Sequence, residues 1–171
     1  LYLLQTRDMA IRERSHVLAF DYNDKKEACY LGNGIGVSGG AMSGRAVYSI
    51  EEMDYFRSQD SSIPLILLRR DTVPDDIREI HASNGLLTAK GGVTSHAAVV
   101  AHRLGKTCVV GCGNLVCDET TRKSYFGKTI IHSGDYISID GREGSVYQGI
   151  LKIKKTKDLN GTQALGPFYN S

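Results

Sequence analysis

The chain has 171 residues, of which 41% are hydrophobic and 23% are charged, and its formal net charge is +2 at pH 7. These proportions are typical of a folded globular domain and exclude an intrinsically disordered chain. The charges are nearly balanced and form no long basic block, so nucleic acid is not an expected partner. No window approaches the roughly 18 consecutive apolar residues of a membrane-spanning helix, so no membrane association is expected.

The first 30 residues differ in pattern from the rest of the chain. Residues 1–7, LYLLQTR, predict a short strand, and residues 8–30 predict a polar helix or a linker. The opening residues lack the basic, apolar and small-residue order of a secretory signal, so we expect a cytoplasmic protein. Thiols are reduced in that compartment, and we expect Cys108 and Cys112 to pack as small hydrophobic side chains rather than to bind a metal.

The segment NGIGVSGG, residues 33–40, contains the spacing Gly34-x-Gly36-x-x-Gly39 of a dinucleotide-binding fingerprint. That fingerprint needs a strand before it and a helix that opens at the third glycine. Here the third glycine is followed by another strand pattern, at residues 44–50. The segment therefore predicts a glycine-rich hairpin or bulged strand, and we exclude a nicotinamide cofactor.

From residue 31 to residue 150, strand and helix patterns alternate, which predicts a mixed α/β domain of β and α layers. The predicted strands are residues 44–50, IPLILLR, LLTA, TCVVGC and those within KTIIHSGDYISIDGREGSVYQG. The predicted helices are EEMDYFRSQ, VPDDIREIHASNG with a proline in its first turn, and a third that starts at His96. Residues 151–171 lose this periodicity and predict a second linker.

The segment AKGGVTSHAAVVAHRLGK, residues 89–106, places one histidine at the start of an apolar helix pattern. Thr94 or Ser95 is a suitable N-cap, and Gly105 supplies the left-handed residue that often ends a helix. His96 is therefore expected in the first turn, where backbone amides lack helical partners and the helix dipole is positive.

This position suits a histidine that accepts a phosphoryl group. The positive end of a helix disfavours imidazolium, which keeps a neutral nucleophile available, and it stabilises an anion bound there. Gly91 and Gly92 allow positive φ angles and a close approach of another molecule to the backbone. From the residues alone, a structural, hydrogen-bonded His96 is an equal alternative.

The same segment resembles the signature around the phosphorylated histidine of the phosphoenolpyruvate-utilising enzymes, and the wider likeness runs from about residue 33 to residue 149. That family includes pyruvate phosphate dikinase, phosphoenolpyruvate synthase and enzyme I of the sugar phosphotransferase system. The resemblance is strongest to the central domain of the pyruvate phosphate dikinases, in TVPDDIREI, GLLTAKGGVTSHAAVVA, LGKTCVVGC and GDYISIDGREGSVYQG.

The resemblance implies that residues 31–150 form a swivelling β/β/α phosphohistidine domain. His96 would take a phosphoryl group derived from ATP and deliver it to pyruvate to make phosphoenolpyruvate. The same transfers would also run in the reverse direction. The implied partners are an ATP-binding domain and a barrel that binds phosphoenolpyruvate or pyruvate in the same full-length protein. ATP, phosphate and pyruvate would be the substrates, and the neighbouring domains would hold Mg²⁺.

The resemblance also implies a group of phosphate-binding residues that support His96. They are Gly91, Gly92, Thr94, Ser95 and Arg103. The family signature usually has arginine where this chain has His102, so Arg103 would have to take its place. In plant members a threonine at the position of Thr94 is a regulatory phosphorylation site, and the resemblance raises the same possibility here.

LYLLQTR resembles the last strand of the nucleotide-binding domain of the dikinases, which implies that Gln5 and Arg7 contact ATP phosphates. An exposed strand end is the alternative.

Two further functions stay open. A phosphoenolpyruvate synthase or another dikinase would differ in its acceptor, although TSH rather than TCH before the helix favours the phosphate dikinase. A non-catalytic interaction module, with a structural His96, is the alternative from another class.

Overall fold

The structure is a computed structural model that describes residues 16–157. The strands in this range are β1 His16–Phe20, β2 Cys29–Asn33, β3 Ile35–Ser38, β4 Ala41–Val47, β5 Leu65–Arg69, β6 Gly85–Thr88, β7 Thr107–Val110, β8 Leu115–Asp118, β9 Lys123–Phe126, β10 Thr129–His132, β11 Tyr136–Asp140, β12 Ser145–Gln148 and β13 Ile153–Lys157. The helices are α1 Tyr22–Glu27, α2 Ile50–Gln59, α3 Ile77–Ala82 and α4 His96–Arg103, and a short 3-10 turn, Pro74–Asp76, leads into α3.

Eight strands form one mixed sheet in the order β2-β12-β11-β4-β5-β6-β7-β3. The strands β4 to β7 run parallel to one another, and the helices α2, α3 and α4 connect them in turn. A smaller antiparallel sheet has the order β10-β9-β8. Because parallel strands end at the same edge of a sheet, the loops after β5 and β6 lie side by side.

The large sheet has a hydrophobic core on each face, which gives the chain its β/β/α layering. One core joins the large sheet to the small sheet and includes Ile66, Leu68 and Phe126. The other packs the helices against the opposite face and includes Leu65 and Leu67. Alternate residues of a strand face opposite sides, so β5 is buried on both faces and its first four residues are all apolar. The layering confirms the predicted fold class.

The predicted helices and most predicted strands of the middle segment are present, but β8 and β9 were not predicted. These strands have four residues each, and each buries only one face. Leu115 and Phe126 are buried, whereas Val116 is exposed. A strand of four residues gives too short a pattern to be separated from a turn. The small sheet is therefore visible only once its strands are paired.

Residues 8–30, predicted as a polar helix or a linker, contain the strand β1 as well as the helix α1, and residues 151–171, predicted as a linker, contain the strand β13. β1 and β13 form a two-stranded antiparallel ladder with Phe20 opposite Ile153. An ion pair of 2.8 Å between Lys154 Nζ and Asp21 Oδ1 lies beside the end of this ladder. Backbone hydrogen bonds hold such a ladder and need no alternating apolar face, which is why the sequence pattern missed it. The domain limits at residues 31 and 150 stay predictions.

The glycine-rich segment around β3 is a bulged strand, as predicted. The pairing of β3 with β7 shifts register between Gly36 and Ser38, and strand β4 follows Gly39 rather than a helix. A Cβ on Gly36 would stand 2.6 Å from the carbonyl oxygens of Gly141 and Arg142. These glycines allow close packing of backbone on backbone, and the segment lacks the helix that a dinucleotide fingerprint requires.

Cys108 and Cys112 are free and buried, as predicted. Burial raises the pKa of the Cys108 thiol to about 12 and that of Cys112 to about 11, so both thiols are un-ionised at neutral pH. Within residues 16–157, no three His, Cys, Asp or Glu side chains are grouped so that they could hold a metal ion. No helix in this range is long and apolar enough to cross a membrane.

Candidate functional site

The loop after β6 and the first turn of α4 bring together most of the residues predicted to form the site. Gly91 adopts a φ of 103°, a left-handed conformation that favours glycine. The N–H of Ser95 donates to the carbonyl of Gly92 at 2.9 Å, which closes a tight turn before the helix. Ser95 is the N-cap, and its Oγ accepts a hydrogen bond of 3.3 Å from the N–H of Ala98. The helix then begins at His96, as predicted.

His96 is half-buried, and its Nε2 is buried without a hydrogen-bond partner among residues 16–157. Native structures leave few buried polar atoms unpaired, and each exception calls for an explanation. The backbone N–H groups of His96 and Ala97 also lack an acceptor in the described part of the chain, and the first turn holds no acidic side chain. The positive end of α4 therefore presents an uncommitted imidazole nitrogen and two uncommitted amides.

Helix α4 is anchored along one face, which fixes the position of His96. Ala97, Ala98 and Ala101 are fully buried and belong to the core that packs the helices on the large sheet. Their small side chains let the helix lie close to the sheet, in contact with β6 and β7. Gly105, with a φ of 70°, ends the helix as predicted.

The two glycines before His96 have different roles. Gly91 needs its positive φ, and a Cβ there would stand 3.0 Å from Ser95 Oγ. Gly92 has no positive φ, and nothing lies within 4 Å of the place where its Cβ would be. Of the two glycines expected to allow a positive φ and a close approach, Gly91 adopts the positive φ, whereas Gly92 leaves open space beside the first turn.

The structure decides between the two N-cap candidates. Ser95 caps α4, whereas the Thr94 side chain is exposed and has no hydrogen bond with any of the described residues. A capping role for Thr94 is therefore wrong, because a cap must reach back to the amides of the first turn from the residue at the helix boundary. The Thr94 hydroxyl is open to solvent two residues before His96.

Arg103 and His102 lie in the last turn of α4, and both are exposed. Seven residues separate Arg103 from His96, so the two share one face of the helix at about 10.5 Å along its axis. His102 points about 120° away from that face. Helical side chains lean towards the N-terminus, which directs Arg103 towards His96. The role of Arg103 in holding phosphate stays a prediction.

One residue near the site was missed in the sequence. Thr72 follows β5, and its Oγ1 is buried without a hydrogen-bond partner within residues 16–157. Its loop adjoins the loop of His96, since the N–H of Lys90 donates to the carbonyl of Arg70 at 2.9 Å. In the sequence, Thr72 is only the residue before a helix start. An unpaired buried hydroxyl becomes visible only when the packing around it is known.

Arg69, the last residue of β5, holds the neighbouring loop in place. Its side chain is only 9% exposed, and its guanidinium lies 3.4–3.7 Å from carboxylate oxygens of Asp76, Glu79 and Glu119. The same guanidinium donates to the carbonyl of Tyr48 at 2.6 Å. A buried cation with one partner removed is costly, so this network fixes the loop after β5 beside the site.

Gln5 and Arg7, predicted to contact ATP phosphates, lie outside the described residues. The structure therefore brings together Gly91, Gly92, Thr94, Ser95 and His96, and it places Arg103 on the same helix two turns away.

Residues 63–144 match the family model described as PEP-utilising enzyme, mobile domain. The chain is 41% identical over 119 residues to pyruvate, phosphate dikinase 1, chloroplastic, of Arabidopsis thaliana, which covers 70% of the chain and 12% of that relative. It is 37% identical over 125 residues to pyruvate, phosphate dikinase of Clostridium symbiosum, which covers 73% of the chain and 14% of the relative. For pyruvate, phosphate dikinase of Rickettsia felis the identity is 42% over 123 residues, with 72% and 14% covered.

The chain thus spans only 12–14% of the length of these relatives. Among solved structures, an NMR solution structure of Enzyme I (nEIt) is 30% identical and covers 54% of this chain and 32% of its own. Its TM-score of 0.36 is too low to bear on the fold.

Proposed function

The chain belongs to the phosphoenolpyruvate-utilising enzymes, whose mobile domain it contains over residues 63–144, and from this premise we propose that His96 is a phosphohistidine carrier. The observation that supports this role most directly is the state of His96 at the start of α4. Its Nε2 is committed to no other residue of the described chain, and Gly92 beside it leaves room for a second molecule. A structural histidine at a helix start would use its ring nitrogens to satisfy its neighbours.

The proposed cycle has two transfers. In the first, a lone pair on a ring nitrogen of neutral His96 attacks a phosphorus atom of the donor. The P–N bond forms as the P–O bond to the leaving group breaks, and the leaving oxygen keeps the electron pair. In the second, an oxygen of the acceptor attacks phosphorus and the P–N bond breaks, which returns the electron pair to the imidazole. Covalent relay of this kind splits one difficult transfer into two easier ones.

The local contribution of this chain is to position and stabilise charge, which is most of what phosphoryl transfer requires. The free amides of His96 and Ala97 and the positive end of α4 favour an anion at this position. Ser95 holds the first turn in place through its cap. Mg²⁺ would neutralise phosphate charge when bound, and we propose that the partner domains hold it.

The donor and acceptor belong to the rest of the protein in this proposal. The relatives are named pyruvate, phosphate dikinases, and this chain spans 12–14% of their length. We therefore propose that an ATP-binding domain supplies the phosphoryl group and that a domain for phosphoenolpyruvate or pyruvate receives it, in either direction of the cycle. Reduced cysteines in the described part of the chain are consistent with a cytoplasmic protein.

Two alternatives differ in their support. A phosphoenolpyruvate synthase or another dikinase would use the same His96 and differ only in the final acceptor, which lies outside this chain. A non-catalytic interaction module would leave His96 structural. The unpaired Nε2 disfavours that second alternative, because a structural role gives no reason for an orphaned nitrogen.

Labelling of the full-length protein tests the proposal. Incubation with phosphoenolpyruvate labelled on phosphorus, or with labelled ATP, is expected to place an acid-labile and base-stable phosphate on His96. Peptide mapping under alkaline conditions identifies the residue. The 171-residue chain alone is expected to show no steady consumption of ATP with pyruvate, because it spans only 12–14% of the length of the dikinases it resembles. Label on any other residue, or none from either donor, would contradict the proposal.

A further inference from the structure

The turn between β8 and β9 reaches from the small sheet to the loop that follows β5. Glu119 in this turn accepts a hydrogen bond of 3.3 Å at Oε2 from the backbone N–H of Arg70. Its other oxygen, Oε1, accepts from the Arg69 guanidinium at 3.4 Å. Arg69 ends β5 and Arg70 begins the loop. One side chain of the small sheet therefore holds both the end of that strand and the start of its loop.

The loop after β5 is bonded in turn to the loop that carries His96. The N–H of Lys90 donates to the carbonyl of Arg70 at 2.9 Å. Lys90 is followed directly by Gly91, whose positive φ begins the turn into α4. Arg70 thus donates to Glu119 through its N–H and accepts from Lys90 through its carbonyl. These contacts form a continuous path from the small sheet to the candidate site.

The turn that carries Glu119 is itself held at both ends. Oδ1 of Asp118 accepts hydrogen bonds of 3.1 and 3.2 Å from the N–H groups two and three residues further along the chain. At the other end, Nε of Arg122 lies 3.3 Å from Oε2 of Glu52, a buried carboxylate in the first turn of α2. A side chain supported in this way can fix the position of a neighbouring loop.

The other contacts of Arg69 separate positioning from stability. Asp76 and Glu79 lie 3.7 and 3.4 Å from its guanidinium, so the buried cation keeps two carboxylate partners when Glu119 is removed. The Glu119 side chain is 42% exposed, and an exposed ion pair adds little to stability. The contacts of Glu119 are therefore expected to matter more for the place of the loop than for the stability of the domain.

We propose that Glu119 is a positioning residue for His96 that acts through the backbones of Arg70 and Lys90. The small sheet then has a role in the site, since it supplies this support. A carboxylate suits the role because its two oxygens accept from the guanidinium and the backbone N–H at the same time. The inference rests on the proposed carrier function, because the position of His96 matters only if it exchanges a phosphoryl group. A displacement of about 1 Å can slow such a transfer roughly a hundredfold.

Glu119→Gln tests the proposal in the full-length protein. Glutamine has nearly the same shape but one oxygen, so it cannot accept from both Arg69 and Arg70. Labelling of His96 by phosphoenolpyruvate or ATP labelled on phosphorus is expected to slow roughly tenfold. Labelling by phosphoramidate, a small donor that reacts with imidazole in solution, is expected to stay at the wild-type rate. Glu119→Ala should slow labelling by the two natural donors at least as much.

Hydrogen exchange in the same protein reports on the loop directly. In Glu119→Gln the amide of Lys90 should exchange roughly tenfold faster, because the carbonyl that accepts its hydrogen bond is held less firmly. The amides of β11 should exchange as in wild type, which shows that the domain keeps its stability. Glu143→Gln is the matched control, since its carboxylate is 58% exposed and pairs with Lys25 of α1. This variant should change neither labelling nor exchange.

Each other outcome overturns the inference. Wild-type rates of labelling in both Glu119 variants would show that the contact does not position His96. Faster labelling would show that the negative charge of Glu119 repels the phosphoryl group, which is the opposite of a supporting role. Faster exchange in β11 as well as at Lys90 would show that Glu119 supports the whole domain instead.

Two outcomes concern His96 itself. An equal loss of labelling with phosphoramidate and with the natural donors would show that Glu119 affects the imidazole rather than its position, and it would also overturn the inference. If wild-type His96 accepts phosphate from phosphoramidate but from neither natural donor, the proposed function fails. The inference then fails with it, whatever the Glu119 variants show.

Discussion

Two pairs of adjacent glycines, Gly39-Gly40 and Gly91-Gly92, look alike in the sequence and act differently in the structure. A Cβ on Gly39 would stand 2.6 Å from the Cα of Thr107, and one on Gly40 would stand 2.5 Å from the carbonyl oxygen of Leu18. At Gly92 nothing lies within 4 Å. Glycine serves packing where a side chain would strike backbone, and it keeps a surface open where a side chain would meet nothing.

This difference divides the molecule into a packed region around β3 and an open region at the start of α4. Substitutions in the packed region are expected to lower the free energy of unfolding and spare phosphoryl transfer. Substitutions in the open region, apart from those at Gly91 with its positive φ, are expected to impair transfer and spare stability. The following experiments sharpen or break this division.

The largest effect is expected from His96→Asn, which removes the proposed nucleophile. Donor-dependent labelling of the full-length protein should be lost completely, while the free energy of unfolding of the chain should change by about 0.5 kcal/mol or less, because Nε2 makes no hydrogen bond with the described residues. His81→Asn, at an exposed position in α3, is the control and should label normally. A folded His96→Asn protein with full turnover would contradict the claim that transfer depends on the open region at the start of α4.

Thr94→Asp is expected to leave the fold intact and slow the labelling of His96 roughly a hundredfold, the effect of disturbing one charge-stabilising group. Its carboxylate would compete with the phosphoryl group for the free first-turn amides, as a phosphate on Thr94 would with about −1.5 to −2 charges. Thr94→Asn has the same shape without the charge and should retain most activity. Thr94→Ser should label His96 at a near-normal rate. Thr94→Val should have the same free energy of unfolding as wild type, since Ser95 provides the cap.

An active Thr94→Asp variant would rule out control by charge at this position. A loss of stability in Thr94→Val, measured by urea unfolding of the chain, would show instead that the Thr94 hydroxyl has a structural role.

Gly39→Ala tests the packed region and is expected to cost about 2–4 kcal/mol of unfolding free energy. Part of that cost is strain at a φ of 76°, and part is the contact with Thr107. Gly105→Ala separates the two, because its φ is 70° and nothing lies within 4 Å of the added Cβ. Gly105→Ala should therefore be destabilised by the smaller amount. Equal losses in the two variants would show that packing at Gly39 contributes nothing.

The packed region should also make the free energy of unfolding fall at alkaline pH. Cys108 lies opposite Ser38 of β3, and burial raises the pKa of its thiol from 9.0 to about 12. Between these values the folded chain binds the extra proton, so the free energy of unfolding falls as the pH rises from about 9 towards 12. One such thiol accounts for about 1.4 kcal/mol by pH 10.

Urea unfolding at about pH 8 and pH 10 under reducing conditions should show this fall, and Cys108→Ala should reduce it. The free energy of unfolding of Cys29→Ala, a substitution at an exposed position, should fall with pH as that of wild type does. The same loss of stability with pH in Cys108→Ala as in wild type would contradict the assignment.

The smallest effect on stability is expected from Gly92→Ala. Its φ is not in the left-handed region and the added Cβ meets open space, so the free energy of unfolding should change by about 0.5 kcal/mol or less. Gly91→Ala, at a φ of 103°, is the matched control and should be clearly destabilised. A destabilised Gly92→Ala would mean that this glycine is packed and that the open region is smaller than described.

Some of these features were predictable from the sequence because they depend on neighbours along the chain. The position of His96 in the first turn follows from an N-cap residue, an apolar helix pattern and Gly105, all of which lie close together in the sequence. The same pattern could not choose between Thr94 and Ser95 as the cap, because both have suitable side chains and only the backbone path selects one. It also assigned both glycines before His96 the same role, although only Gly91 has a positive φ.

By itself, then, the sequence determined the α/β class, the buried strand β5 and the helix that opens at His96, since hydrophobic periodicity and capping act over a few residues. The tertiary structure alone decided that β1 pairs with β13, that the small sheet exists, and that Gly92 faces open space. It also decided that Nε2 of His96 has no partner in the described chain. These properties depend on which distant residues come together across the strands, and no local pattern contains that information.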